Sequence, residues 1–323
     1  MGCYWNEKRV VVPGGAGFIG SHVVDLLVEA GAQVSVIDDL SSGCWSRIEG
    51  HGGRIVRHEA DLVTADLAEC FEGADAVLNL AGLAPGLTLE SSRHEVLYQG
   101  NLRIADAVLN GVLAAGVGRY LEVSSSCVYP DDAAVPTGEV SFDGKGPEEV
   151  NRGYGNAKRE VERRAIEAAA GGSRFALAIA RPFNAFGARD MATGAGAHVI
   201  PSLLERILDA SPEIVVWGSG RQTRSFIHAA DLAMGMLLAA EYCADSNPVN
   251  IGSNEEISMK DLVDVLQELA GTDKPVRFDR TKPEGAARKA CDASRLERMT
   301  GFRQRISLRQ GLEEMVRARL VPS

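Results

Sequence analysis

The chain has 323 residues, a formal net charge of −10, 45% hydrophobic and 24% charged residues. That length buries a large core, as one large domain or two intimate ones, and the composition is that of a soluble globular protein. The acidic balance argues against nucleic acid or an anionic membrane as the main partner, but not against a small anionic ligand held by a local basic field.

Six cysteines (Cys3, Cys44, Cys70, Cys127, Cys243 and Cys291) form no CxxC pair. Reduced thiols in a cytoplasmic protein are therefore expected, rather than disulfides or a metal site. No apolar run approaches the roughly 18 residues of a membrane span.

Apolar runs at residues 9–12, 33–37, 54–57, 76–80, 119–123 and 176–180 predict strands. Amphipathic stretches at 19–30, 102–115 and 155–170 predict helices between them. This alternation predicts an α/β fold with a doubly wound parallel sheet. Residues 131–149, with Pro, Gly and acidic side chains, are expected to be a surface excursion. After Arg181-Pro182 the alternation loosens, with helices expected at 198–208, 230–240, 258–270 and 307–316 and a strand at 214–217. The expected division is a nucleotide-binding domain of residues 1–181 plus about 222–243. Residues 182–221 and 244–323 would then form a smaller C-terminal α/β substrate-binding lobe. Residues 187–197, rich in Gly and Ala, are expected to be a mobile flap over the substrate.

The first strand runs into Gly14-Gly15-Ala16-Gly17-Phe18-Ile19-Gly20 and then into a helix. Gly14, Gly17 and Gly20 permit a tight turn, close approach of the backbone to a pyrophosphate, and close packing of helix on strand. The helix N-terminus supplies N–H groups and the positive end of its dipole. Asp38 ends the second strand, followed by Asp39; a carboxylate there binds both ribose hydroxyls and repels a 2′-phosphate, which predicts NAD over NADP. Asp61 and Leu62 follow the third strand, as an adenine-edge contact or, for Asp61, a helix cap. Leu80, Ala81 and Gly82 end the fourth strand with small residues beside the cofactor. The expected fold is thus Rossmann-type.

The fifth strand leads into Ser124-Ser125-Ser126-Cys127-Val128-Tyr129. Tyr154 and Lys158, four apart, share one face of a helix. A tyrosine of pKa near 10 is a poor base, but an adjacent ammonium favours its phenolate. Tyr154 is then placed to take a proton from a hydroxyl, with Ser125 bonded to the same oxygen. Cys127, two residues from Ser125 along an extended strand, would point to the same side and exchange a proton at carbon. The bland alternative is a small packing residue.

Together these residues resemble the extended short-chain dehydrogenase/reductase family, the NAD-dependent sugar-nucleotide epimerases, dehydratases and reductases, over nearly the whole chain. The resemblance implies that Ser125 acts with Tyr154 and Lys158, flanked by Ser124 and Ser126, and that Asn101 supports the lysine. It also implies that Ser126 and Asn184, the latter in Arg181-Pro182-Phe183-Asn184, contact a nucleotide sugar. Sugar 4,6-dehydratases carry Asp-Glu where this chain has Ser126-Cys127, so dehydration is disfavoured.

Ser-x-Cys-x-Tyr-Pro is instead similar to GDP-mannose 3,5-epimerase and GDP-L-fucose synthase, which implies a thiol for carbon deprotonation. Ala197-His198-Val199-Ile200-Pro201 resembles a segment whose histidine partners that cysteine; a capping or solvent-facing role for His198 is the alternative. By the same resemblance Arg224 holds a diphosphate, with Trp217 beside it. Lys282, in Thr281-Lys282-Pro283-Glu284-Gly285, and Arg288, Lys289 and Asp292 meet the nucleotide end.

The expectation is an NAD-dependent nucleotide-sugar epimerase, an isomerase working by transient C4 oxidation and inversion at C5, C3 or both. The same resemblance favours a GDP-hexose over a UDP-sugar, and Asp38, pointing to a retained NAD, suits a redox-neutral epimerase rather than a reductase. A UDP-sugar or UDP-uronate 4-epimerase, a GDP-4-keto-6-deoxyhexose epimerase/reductase and a non-catalytic NAD sensor are the alternatives. No metal is expected, and two long helices, 102–115 and 155–170, are expected to pair in a homodimer.

Overall fold

A computed structural model describes residues 4–84, 92–172, 175–190, 198–282 and 285–320. Residues 191–197 of the expected flap lie outside these, as do Pro283 and Glu284. The first half alternates as its apolar pattern predicts. It runs β1 (Arg9–Pro13), α1 (Phe18–Glu29), β2 (Gln33–Asp38), β3 (Ile55–Glu59), α2 (Leu67–Cys70) and β4 (Ala76–Asn79). Then come α3 (Ser92–Ala115), β5 (Arg119–Val123), α4 (Arg152–Ala170) and β6 (Ala176–Pro182).

The second half begins with β7 (Ala185–Phe186), α5 (Val199–Leu208), β8 (Ile214–Trp217), β9 (Thr223–Ser225) and β10 (Ile227–His228). It continues with α6 (Ala229–Tyr242), β11 (Pro248–Ile251), β12 (Glu256–Ser258) and α7 (Met259–Ala270). The last elements are β13 (Val276–Asp279), β14 (Arg288–Lys289), α8 (Ser294–Thr300) and α9 (Leu308–Leu320).

Seven strands form one parallel sheet in the order β11-β6-β5-β4-β1-β2-β3. Strand alternation sends side chains to opposite faces. Val10 and Val12 of β1 therefore join a core with α1 and α6. Val11 faces the other way, into a core with α3 and α4. Both faces are covered, which is why these strands are almost wholly apolar. The chain winds outward from β1 in one direction and from β4 in the other, so the crevice at their carboxyl ends is where such a sheet binds ligands.

Two segments depart from the expected division. Strand β11 falls in the stretch assigned to the small lobe, yet it pairs in parallel with β6 at the edge of the large sheet. Helix α6 is the crossover that carries the chain back, and it packs on α1 and β6. Strand β9, assigned to the nucleotide domain, sits instead between β12 and β14 in a separate three-stranded sheet. A second core joins α5, α7 and α9 to β8, which pairs with β13.

Helix α4 carries i,i+4 ion pairs, Arg163 with Glu167 in solvent and Arg164 with Glu160 half-buried, each worth a few tenths of a kcal/mol. Its buried face is held differently. Arg181 of β6 donates through Nε to Glu162 Oε1 at 2.8 Å and through Nη2 to Oε2 at 2.6 Å, and both side chains are buried. A desolvated pair of this kind adds little net stability, but removing one partner strands a charge. Arg181→Met is expected to lower unfolding stability by about 3–5 kcal/mol, measured by urea denaturation; a loss under about 1 kcal/mol would show that Glu162 finds another partner.

Candidate active site

The glycine turn after β1 is closed to side chains. Gly14 has φ +75°, and a Cβ there would lie 2.7 Å from the Ala81 nitrogen. A Cβ on Gly20 would lie 2.1 Å from the Gly14 carbonyl, so the first turn of α1 rides directly on the loop. Gly17 caps α1 without a side chain, and Phe18 and Ile19 open the helix beside it. Asp38 is buried at the end of β2. Its Oδ2 accepts from Ala16 N and its Oδ1 from Leu40 N, each at 3.0 Å. Burial pushes this carboxyl up while those two N–H groups pull it down.

Asp39 is exposed and accepts from the Ser41 amide and hydroxyl. Asp61 accepts from Val63 N at 2.8 Å; Leu62 packs into the apolar core over β1 rather than facing the cleft. Leu80 N donates to Pro13 O and Ala81 N to Asn79 Oδ1, which brings the end of β4 against the glycine turn. This cradle fits a dinucleotide: the positions nearest the pyrophosphate admit no Cβ, and an acidic side chain closes the ribose end.

At the end of β5, Ser125 is extended (φ −161°, ψ 156°) and the chain then turns. Ser126–Val128 is a single 3-10 turn, with Ser125 Oγ accepting from Cys127 N at 3.1 Å. The extended strand expected from Ser125 to Cys127 is therefore absent. The turn forms because a serine hydroxyl satisfies a backbone N–H two residues on, and it still leaves the thiol beside Ser125 and Tyr154.

From α4, the Tyr154 hydroxyl stands beside Ser125. Lys158 Nζ lies 5.9 Å from the Tyr154 ring centre, donates to Val123 O at 2.7 Å, and stands 3.7 Å from Glu122 Oε1. Burial pushes the Tyr154 phenol up, and Cys127 and Glu122 push in the same direction against Ser125. Burial also lowers Lys158, opposed by Glu122 and Glu162. The isolated chain thus holds Tyr154 as a phenol, and the phenolate needs further positive charge from a bound cofactor.

Asn101 is placed differently from the family expectation. Its Oδ1 accepts from Leu83 N and its Nδ2 donates to Leu83 O and Leu97 O. It pins the Gly82–Leu83 backbone, and a Cβ on Gly82 would sit 2.9 Å from that Oδ1 and 3.6 Å from Lys158 Nζ. Asn101 therefore meets the lysine's neighbourhood through Gly82, while Glu122 faces the ammonium directly.

The Cys127 thiol has neighbours that sequence reasoning missed. Asn151 Nδ2 approaches Sγ at 3.5 Å and also donates to Glu148 Oε2 at 2.9 Å. Glu148 is close enough to the thiol to act on it and pairs with Lys289 Nζ at 3.0 Å. Burial pushes the thiol up to about 11; Lys289 opposes the rise and Glu148 adds to it. Glu148 lies in the stretch expected to be a surface excursion, and its backbone N–H bonds to Cys127 O at 3.3 Å. The adjacency of Glu148 and Asn151 to the YxxxK helix was the one available signal.

His198 is not among the groups on the thiol. Its Nδ1 pairs with the buried Asp190 at 2.7 Å, and its ring is 46% exposed at the start of α5, just before Val199. The hydrogen bond to Asp190 raises its pKa against burial. Its side chain makes no capping bond, so the capping alternative is not realised.

Of the remaining expected contacts, Ser126, Arg288 and Lys289 line an open cavity together with Glu148. Arg224 donates to Thr223 O and Ala286 O and acts on Lys289. Arg288 pairs with Glu256 and donates to Val135 O. Asn184 Nδ2 donates to Ser225 O at 2.9 Å. Trp217, 37% exposed, lies between Arg206 and Lys282, 6.0 and 5.9 Å from its ring centre. Asp292 accepts from Ser294 N, which explains it as the start of the turn into α8.

A dinucleotide cradle at the sheet switch point, with a serine, tyrosine and lysine around one point beside it, defines an α/β oxidoreductase-type enzyme. The sequence profile of the NAD dependent epimerase/dehydratase family matches residues 10–252; the chain belongs to that family, and NAD is its cofactor. GDP-L-fucose synthase from Sinorhizobium fredii is 29% identical over 316 residues, 95% of this chain and 94% of that protein. A dTDP-4-dehydro-6-deoxy-D-allose reductase from Streptomyces is 29% identical over 326 residues, 97% of this chain and 96% of that one. The crystal structure of UDP-glucose-4-epimerase from Stenotrophomonas maltophila, with bound NAD and formylated UDP-arabinopyranose, superposes with a TM-score of 0.86. It is 25% identical, with 97% of this chain and 98% of that chain covered.

The thiol's surroundings give a direct expectation. Cys127 is protonated at neutral pH, so iodoacetamide should label it slowly at pH 8. Glu148→Gln, which removes a negative charge, should speed labelling several-fold, and Lys289→Met should slow it. Peptide mass spectrometry separates Cys127 from the other cysteines; equal rates in all three proteins would mean that the ion pair does not act on the sulfur.

Proposed function

We propose that the protein is an NAD-dependent nucleotide-sugar epimerase acting on a GDP-hexose, inverting C5, C3 or both through a transient ketone at C4. The observation that carries this reading is the thiol of Cys127 on the same turn as Ser125, next to Tyr154 and Lys158. When bound, NAD accepts the hydride from C4 and later returns it. Tyr154 takes the C4 hydroxyl proton, Ser125 hydrogen-bonds that oxygen, and the Lys158 ammonium stabilises the phenolate.

A ketone at C4 makes the hydrogens on C3 and C5 acidic. Cys127 and His198 exchange that proton: the neutral form of the His198 imidazole removes it, the electron pair passing to the C4 oxygen, and the Cys127 thiol gives its own proton to the opposite face as the ketone reforms, after which thiolate and imidazolium re-equilibrate with solvent. Asp190 fixes the His198 ring and favours its protonated form. Trp217 offers a stacking face and, with Arg206 and Lys282, two cations for the nucleotide end. Arg224, Arg288 and Lys289 supply positive charge at the diphosphate. The GDP-L-fucose synthase resemblance favours guanosine. In a UDP-sugar 4-epimerase, the reading that the solved structure favours, Cys127 has no chemical task.

We also place this protein in a homodimer through α3 and α4, which pack on each other and expose Val96 and Leu113 of α3. Light scattering should return twice the 34.4 kDa chain mass; a monomer removes that part of the reading. The chemistry is tested by incubating the enzyme with GDP- and UDP-hexoses in D2O and analysing recovered sugar by NMR. Deuterium at C3 or C5, lost in Cys127→Ala, is expected. Inversion at C4 without deuterium would sink the thiol's role and establish the 4-epimerase.

A further inference from the structure

We propose that Glu122 is the positioning residue of Lys158, a buried counter-ion that reaches the ammonium from the sheet side, fixes its place and keeps it charged. The inference rests on the proposed pairing of Tyr154 with Lys158 in the redox step.

A glutamate in the middle of a parallel sheet is costly unless it is satisfied. In the run Tyr120-Leu121-Glu122-Val123 it is only 1% exposed. Its two oxygens are used unequally. Oε2 accepts from Asn79 Nδ2 of β4 at 2.9 Å and from the Tyr120 hydroxyl of β5. Oε1 has no hydrogen-bond partner among the described residues, and the group it faces is Lys158 Nζ at 3.7 Å. A carboxylate retained for packing alone would have both oxygens bonded; this one keeps a lone-pair edge for an ammonium.

The lysine requires it. Lys158 is buried, it donates to the neutral Val123 carbonyl, and Asn101 is committed to Leu83 and Leu97. Burial drives Lys158 toward its neutral form, and Glu122 is the largest opposing charge, followed by Glu162. Glu162 is already claimed by Arg181 of β6 and by Ser124. The charged and titratable groups around Glu122 are thus Tyr120 on its own strand, Tyr154, Lys158 and Glu162 on α4, and Arg181 behind Glu162. Of the two carboxylates, Glu122 alone has an oxygen to spare for Lys158. A neutral Lys158 could not hold Tyr154 ready to ionise, so Glu122 acts on the reaction through the lysine and touches no substrate.

The chain has seven lysines, few enough to follow individually by lysine-selective NMR of the NAD-loaded enzyme, with the Lys158 signal assigned by its absence in Lys158→Met. Glu122→Gln, nearly isosteric, is expected to move the Lys158 titration to lower pH by about one unit or more. Tyr120→Phe, which keeps the carboxylate, should leave it at the wild-type position or higher. If Glu122→Gln does not fold, Glu122→Asp carries the test, since withdrawing the carboxylate by one methylene must still lower the titration. An unmoved Lys158 titration in a folded Glu122 variant overturns the proposal. Turnover retained in both Tyr154→Phe and Lys158→Met would instead refute the redox pairing, and would leave the titration result intact.

Discussion

The docking of α4 on the sheet is the constraint on which the site depends. Two carboxylates in the dry layer between them, Glu122 from β5 and Glu162 from α4, are each matched to a cation on the opposite element. Ion pairs in such a layer contribute little net stability, but any other register of the helix would leave charges unpaired in an apolar medium. Apolar packing tolerates small slides; charge pairing does not. Helix α4 is therefore held to one position. Tyr154 follows from it, then its place beside Ser125, and then the turn that presents Cys127.

The cofactor cradle depends on a different kind of exactness. Its close approaches are backbone to backbone, Gly14 against the end of β4 and Gly20 against Gly14. No side chain needs to be positioned for them, so the cradle is set by strand pairing alone. Its link to the catalytic helix is short: Asn79 bonds both Ala81 N and Glu122. One asparagine therefore joins the backbone of the cradle to the charge beneath the lysine.

Much of this was legible in the sequence because it is periodic or local. The strand and helix runs of the first half, the glycine turn, Asp38 and the Tyr154–Lys158 spacing all encode their structure within a few residues. What escaped depends on contacts across long separations. Glu148 stood in a stretch whose Pro, Gly and acidic residues suggest solvent, and only Lys289, 141 residues away, explains its inward turn. Strands β9 and β11 were assigned to the wrong bodies because three or four residues carry no record of which edge they will join. Glu122 had a visible signal, a charge inside an apolar strand, but its meaning required the lysine above it. The extended path from Ser125 to Cys127 failed for a local reason, since a serine hydroxyl captured the backbone N–H that an extended strand would have left free.

The thiol pocket also has a consequence for assembly. It is closed by Glu148 from the connection before α4 and by Lys289 of β14, and the same connection is tied to that C-terminal region by Thr137 and Cys291. The nucleotide cradle lies entirely within the first hundred residues. Cradle and thiol pocket are thus separable in the chain: the early part supplies the cradle, while the thiol pocket comes together only when the last eighth of the polypeptide has folded back over it. Variation in β14 can therefore alter the surroundings of the thiol while leaving the dinucleotide cradle untouched.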